Sequence, residues 1–139
     1  EQDLLRDVIA ERGKVLFHGI RIKPGKPTLF GMVDGRPIYG MPGLPAACLM
    51  SSHVILAPCA RLLARLPPRQ ERIETLPVGG ELRTPSSRPM MPVRTEGGPV
   101  YQAFRESGAI GAMSSAEGYV RMEEYEIGRG SIVEVRFFQ

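Results

Sequence analysis

The dipeptide Pro67-Pro68 divides the chain into two stretches of different texture, and this break constrains the fold more than any other feature. Before it, strand-like and helix-like segments alternate. After it come short β-rich runs separated by Gly-Gly, Pro-Ser-Ser and Gly-Arg-Gly. Alternating strand and helix is the pattern of a layered α/β unit, whereas closely spaced short strands suggest a small barrel or sandwich. The expected architecture is therefore α/β plus all-β. Residues 1–67 would be part of an α/β domain and residues 71–139 a small β-barrel-like domain.

Within the first stretch, Leu4, Leu5, Val8 and Ile9 share one helical face, with Asp3 as N-cap and Gly13 as stop. Val15 to Ile22 reads as a mostly buried strand. Thr28 to Met32 and Pro37 to Tyr39 read as two more, turned at Asp34-Gly35, a strong hairpin signal. A stiff loop, Gly40-Met41-Pro42-Gly43-Leu44-Pro45, then opens a long helix reaching about Leu66. Pro45 suits its first turn, and Pro58 should kink it. The helix is apolar almost all round through Ile55, so burial is expected. A buried helix needs a sheet to pack on, and a domain this small hides little surface. The expectation is that the N-terminal part of the domain lies outside the chain, which opens on Glu1 rather than Met. An incomplete sheet has an unpaired edge, so self-association is expected. In the second stretch, strands are expected at about 72–77, 91–95, 99–104, 108–113, 118–122 and 131–138, with a turn at Glu96-Gly97-Gly98. Val133, Val135 and Phe137 alternate with Glu134 and Arg136, the mark of a half-buried strand.

The net charge of +3 is mild but unevenly placed. Residues 1–67 hold nine basic and five acidic residues; residues 68–139 hold nine and ten. A small acidic or phosphorylated ligand in the first half is plausible. No basic stripe interleaved with aromatics appears, which argues against a nucleic-acid partner. No apolar run is read as approaching the roughly 20 residues of a membrane span, and no membrane partner is expected. Cys48 and Cys59 lie about 16 Å apart along one helix and cannot bridge, so two free thiols suggest a reducing, cytoplasmic setting. His18 and His53 have no metal-ligand spacing and read as structural.

Only three of the 18 basic residues are lysines, and two of them sit in Lys23-Pro24-Gly25-Lys26-Pro27. The prolines fix this backbone and Gly25 lets it turn sharply. In α/β sheets, loops at strand C-terminal ends line the ligand crevice. Two ammonium groups held there suit phosphate or another oxyanion, as point charges. The loop from Gly40 to Pro45 precedes a helix N-terminus, where free amides also favour anions. Lys23, Pro24, Gly25, Lys26, Pro42, Gly43 and Pro45 are thus candidate substrate-binding residues.

The segments FHGIRIKPGKPTLFG, DGRPIYGMPGLPAACL, SGAIGAMSSAEGYVRM and GSIVEVRFF, in this order, resemble the C-terminal part of the MoeA family, the molybdopterin molybdotransferases. The resemblance implies the C-terminal half of a three-layer α/β pterin-binding domain followed by the family's β domain. It implies insertion of molybdate into adenylylated molybdopterin in molybdenum cofactor biosynthesis, with Mg2+ as metal and a homodimer in the full-length protein. It further implies catalytic roles for Asp3 and for Ser107, which precedes Gly108, and contacts of Lys23 and Lys26 with anionic substrate groups. Met41 stands at a usual leucine and Leu44 at a usual asparagine, so a polar substrate contact is expected to be lost. The glycine- and serine-rich phosphate motif and the large N-terminal domains of the family are not in this sequence, so the fragment alone is expected to be inactive. Two alternatives are a non-catalytic binding or scaffold module of gephyrin type and a molybdopterin adenylyltransferase relative. The β stretch argues against the latter.

Overall fold

The computed structural model describes residues 4–84, 90–103 and 113–138. Helix α1 (Leu4–Arg12) leads into strand β1 (Gly13–His18), which pairs antiparallel with β2 (Leu29–Val33). β2 pairs in turn with β3 (Arg36–Gly40), giving a three-stranded antiparallel sheet. The turn between them has Asp34 at φ 50° and Gly35 at φ 72°. Positive φ at both central residues matches the right-handed twist of the flanking strands. β1 is shorter than the expected strand: it ends at His18, and residues 19–28 form the loop that carries both lysines.

Phe17 is paired with Phe30, and Phe30 with Tyr39, so the three rings stand on one face with centroids 5.7 Å apart at each step. The opposite face receives α1 through Ile9, which is 1% exposed and lies over Gly31. The expected apolar face of α1 is only partly used, because Leu4, Leu5 and Val8 remain exposed.

The long helix runs as α2 (Pro45–Ser51), a π-helical turn (Ser52–Leu56) and α3 (Ala57–Leu63). Ala57 N–H bonds the Ser52 carbonyl, five residues back. Pro58 explains this: it has no N–H to give, and its ring would crowd the carbonyl four residues earlier. The widened turn makes room, in place of the simple kink expected.

The expectation of a buried helix is not met. Leu49, Leu56, Leu62 and Leu63 are exposed, and the inner side alone is packed. Pro45–Leu63 is also 19 residues long with mean hydropathy 1.5, so by length and composition it could cross a membrane. That corrects the sequence reading of no such run. Its packing is that of a core helix bound on one side: Met50 is fully buried with Met90 and Tyr119, and Ile22, Val54 and Phe138 close around them.

Met90 and Tyr119 belong to a second, five-stranded antiparallel sheet ordered β4-β10-β8-β6-β7. Its strands are β4 (Ile73–Pro77), β6 (Met90–Thr95), β7 (Val100–Gln102), β8 (Gly118–Arg121) and β10 (Ile132–Phe137). The two edges meet: Val78 bridges Val100, and the Gly79 N–H bonds the Val100 carbonyl at 2.8 Å. The sheet is therefore curled, as the barrel-like expectation requires. Along β10 the alternation holds, with Val133, Val135 and Phe137 buried beside exposed Glu134. One face of this sheet, with Met91, Val93, Val120 and Val135, builds its own core; the other turns Met90 and Tyr119 toward the helix. Strands β5 (Leu82–Arg83) and β9 (Glu126–Ile127) form a small separate ladder that the sequence reading missed. Two-residue strands carry too little periodicity to be legible. Of the expected strand at 108–113, residues 108–112 lie outside the described residues, and Met113 is in a turn. The chain is thus a mixed α/β fold with a curled sheet.

Candidate functional site

Antiparallel pairing decides where the candidate loops lie. His18, the end of β1, pairs with Leu29, the start of β2, and Leu29 pairs with Gly40, the end of β3. The lysine loop leaves and re-enters the sheet at this end. The glycine-proline loop leaves it at the same end. Two separate segments of sequence therefore share one edge of the three-stranded sheet.

The lysine loop is held by its backbone. Gly19 N–H bonds the Thr28 carbonyl and Ile20 N–H the Lys26 carbonyl, each at 2.9 Å. The Lys23 carbonyl accepts from Met90 N–H at 2.7 Å, tying the loop to the first residue of β6. Lys23-Pro24 is a cis peptide. Gly25 is buried at φ 128°, and a Cβ there would lie 2.8 Å from both Ser51 Oγ and Ile22 Cδ1. Only glycine fits so close an approach in this conformation. Lys23 and Lys26 are themselves exposed, so the backbone is anchored while both ammonium groups reach solvent.

The loop lies against the flank of α2 rather than at its tip. Ser51 is six residues beyond Pro45, about 9 Å along a helix at 1.5 Å per residue. At the tip, Pro45 occupies the first helical turn and Leu44 is the N-cap, with extended backbone and no side-chain cap. Pro42 is buried, whereas Gly43, Leu44 and Pro45 are exposed. A leucine cannot satisfy the first amides of the helix as Ser, Asp or Asn would, and they are uncapped by its side chain.

The charge at this end is one-sided. Between Glu11 and Glu71 the only acidic residue is Asp34, which sits in the turn at the far end of the sheet, beyond the Val33–Arg36 pair. Arg21, Lys23 and Lys26 lie in the loop at the near end. This stretch thus offers an anion two lysines and an arginine without a competing carboxylate of its own.

Asp3 and Ser107, the two expected catalytic residues, lie outside the described residues, as does Gly108. Among the described residues no three His, Cys, Asp or Glu side chains converge to hold a metal. Cys48 and Cys59 are both free, as expected, and half-buried. His53 fits its structural reading: its ring meets Phe138 and Tyr119 edge-on, at 5.0 and 6.1 Å between centroids. Burial, then the Arg69 charge, lowers its pKa from the usual 6.5. Arg61 and Arg69 donate to the carbonyls of Pro67 and Phe138. A groove of about 370 Å³ beside them, lined by His53, Pro58, Leu62 and Leu66, contains none of the candidate site residues.

The sequence reading missed two residues of this region, Thr28 and Ser51, each 0% exposed and joined by their hydroxyls at 2.9 Å. Isolated hydroxyl residues 23 positions apart give no pattern, and only their contact reveals them.

Comparison with known proteins places this geometry. Residues 1–62 match the family described as "Probable molybdopterin binding domain". The first sheet, its paired loops and the long helix are thus similar to a molybdopterin-binding domain. A protein of Methanocaldococcus jannaschii named for molybdopterin biosynthesis is 26% identical over 139 residues, covering 97% of this chain and 33% of its own length. The molybdopterin molybdenumtransferase of Haemophilus influenzae is 36% identical over 66 residues, 48% of this chain and 16% of that protein. The crystal structure of a molybdopterin biosynthesis MoeA protein from Pyrococcus horikosii superposes with a TM-score of 0.83 at 33% identity, covering 99% of this chain and 35% of that one. More narrowly, then, these likenesses support a fragment of the MoeA family, and the chain spans about a third of the length of such relatives. That family is one of molybdenum cofactor biosynthesis enzymes.

Proposed function

We propose that this chain supplies one wall of the substrate site of a molybdopterin molybdotransferase, which inserts molybdate into adenylylated molybdopterin. The observation that carries the reading is the convergence of the lysine loop and the glycine-proline loop at one end of the sheet. The likeness to the MoeA family supports it. Molybdate and the phosphate-bearing dithiolene are both anions, so their approach is opposed by like charge. Lys23 and Lys26, anchored through their carbonyls, would offset that repulsion, and fixed cations need no reorganisation as the reaction proceeds. The uncapped amides behind Leu44 would add a weaker attraction. Asp3 and Ser107 are proposed to complete the chemistry from outside the described residues.

In this reading residues 1–67 are the C-terminal part of the pterin-binding domain and residues 71–139 the β domain. The exposed Leu4, Val8 and Leu16 would then face the rest of the α/β domain, in a homodimeric full-length protein. The fragment alone would be inactive. The test is molybdate insertion by the complete protein with Lys23 and Lys26 both changed to alanine. A loss of two orders of magnitude or more is expected, in line with removal of preorganised charge partners; near-normal turnover would overturn the reading.

A further inference from the structure

The loop that carries both lysines is fastened to helix α2 by a buried chain of hydroxyls. The Thr28 hydroxyl has a single proton and donates it to the Gly25 carbonyl at 2.7 Å. In its 2.9 Å contact with Ser51 it must therefore accept, and Ser51 must donate. Both residues are 0% exposed. The Gly25 carbonyl also receives the Thr28 N–H, at 3.2 Å. With the Met90 bond to Lys23 and the Ile20 bond to Lys26, the carbonyls of residues 23, 25 and 26 are all engaged.

We propose that Thr28 and Ser51 are positioning residues: their hydroxyl chain fixes the conformation of the Lys23–Lys26 loop and so sets where the two ammonium groups stand. Its meaning for a ligand rests on the function proposed above. Its effect on the loop does not. Sequence alone gives neither residue a role, and neither touches solvent, so they act only through the backbone that they hold. Without the Thr28 hydroxyl the Gly25 carbonyl keeps only the longer 3.2 Å bond from the Thr28 N–H, and the buried Ser51 hydroxyl loses this partner, a cost that weakens the closed loop. Ser51 is also the last α-helical residue before the π-helical turn, which ties the loop to the one irregular point of the helix.

The test is amide hydrogen exchange on the chain, followed by molybdopterin affinity in the complete protein. Thr28→Val keeps the shape and removes the hydroxyl; Ser51→Ala removes the donor; Thr28→Ser restores the hydroxyl. The first two should speed exchange at the Ile20 and Thr28 amides about tenfold, as loss of a buried hydrogen bond implies. Amides of the five-stranded sheet should be unchanged, and Thr28→Ser should stay near the parent. Equal acceleration throughout the protein, no acceleration, or failure of Thr28→Ser to restore protection would each overturn the proposal. Thr28→Val should also weaken molybdopterin binding when Lys23→Ala/Lys26→Ala does. Binding lost in the lysine variant but intact in Thr28→Val would refute positioning. Binding intact in the lysine variant refutes the proposed site instead, and the exchange pattern still decides the hydroxyl chain.

Discussion

Replacing Met50 by alanine tests whether the helix and the second sheet form one core. Met50 is 0% exposed and packs with Met90 and Tyr119, between Ile22 of the lysine loop and Phe138 at the chain's end. It therefore joins three segments that are distant in sequence. Truncation removes three heavy atoms from a fully buried site that rigid neighbours cannot close, and such changes cost about 2–5 kcal/mol. With a urea m-value of roughly 2 kcal/mol/M for a protein of this size, the midpoint should fall by about 1–2.5 M. The chain has no tryptophan, so tyrosine fluorescence reports the cluster through Tyr119 while far-UV circular dichroism reports the helices. Both signals should shift together. Leu62→Ala is the control: the side chain is 77% exposed, and its loss should cost less than about 0.5 kcal/mol. A Met50→Ala change below 1 kcal/mol, or one equal to that of Leu62→Ala, would refute the shared core.

Tyr39→Phe should leave the protein as stable or stabilise it by about 1 kcal/mol in the same urea assay. The Tyr39 hydroxyl is buried without a hydrogen-bond partner among the described residues, and burial pushes its pKa to about 12, so removing it relieves an uncompensated desolvation cost. Gly25→Ala should lower stability by about 1–3 kcal/mol and open the lysine loop, because φ 128° and the close approach of Ser51 both exclude a Cβ. Thermal melts with hydrogen exchange check both effects. Acid should act through His53, whose folded pKa is depressed below 6.5. As pH falls through 6.5 the unfolded chain takes up a proton first, so stability drops until the folded pKa is reached. A melting profile between pH 7.5 and 5 should show this fall, and His53→Gln should flatten it.

Much of the fold was legible because local rules were sufficient. The Asp34-Gly35 turn needed positive φ at both positions, and the alternation along β10 needed only a two-residue period. The break near Pro67-Pro68 followed from chemistry that cannot continue a helix. The lysine loop stood out as a candidate because prolines, a glycine and two rare lysines coincide in five residues. The burial of the long helix was not legible. Composition says only that a segment is apolar, not how many of its sides meet a partner, and here Leu49, Leu62 and Leu63 meet none. Nor could the sequence say that Pro58 would be accommodated by a π-helical turn, because that choice is made over a whole turn of backbone rather than at one residue.

What the sequence by itself determined was most of the elements, the resemblance to the MoeA family, and the residue types of the candidate loops. Each depends on neighbours within a few positions or on a motif read in order. What only the tertiary structure decided was their relation. Antiparallel register brought the two loops to one end of a sheet and sent the lone acidic residue between Glu11 and Glu71 to the other. Contact across the fold joined Thr28 to Ser51, and Met50 to the second sheet. Such pairings are fixed by the packing of the whole chain, which no local pattern encodes.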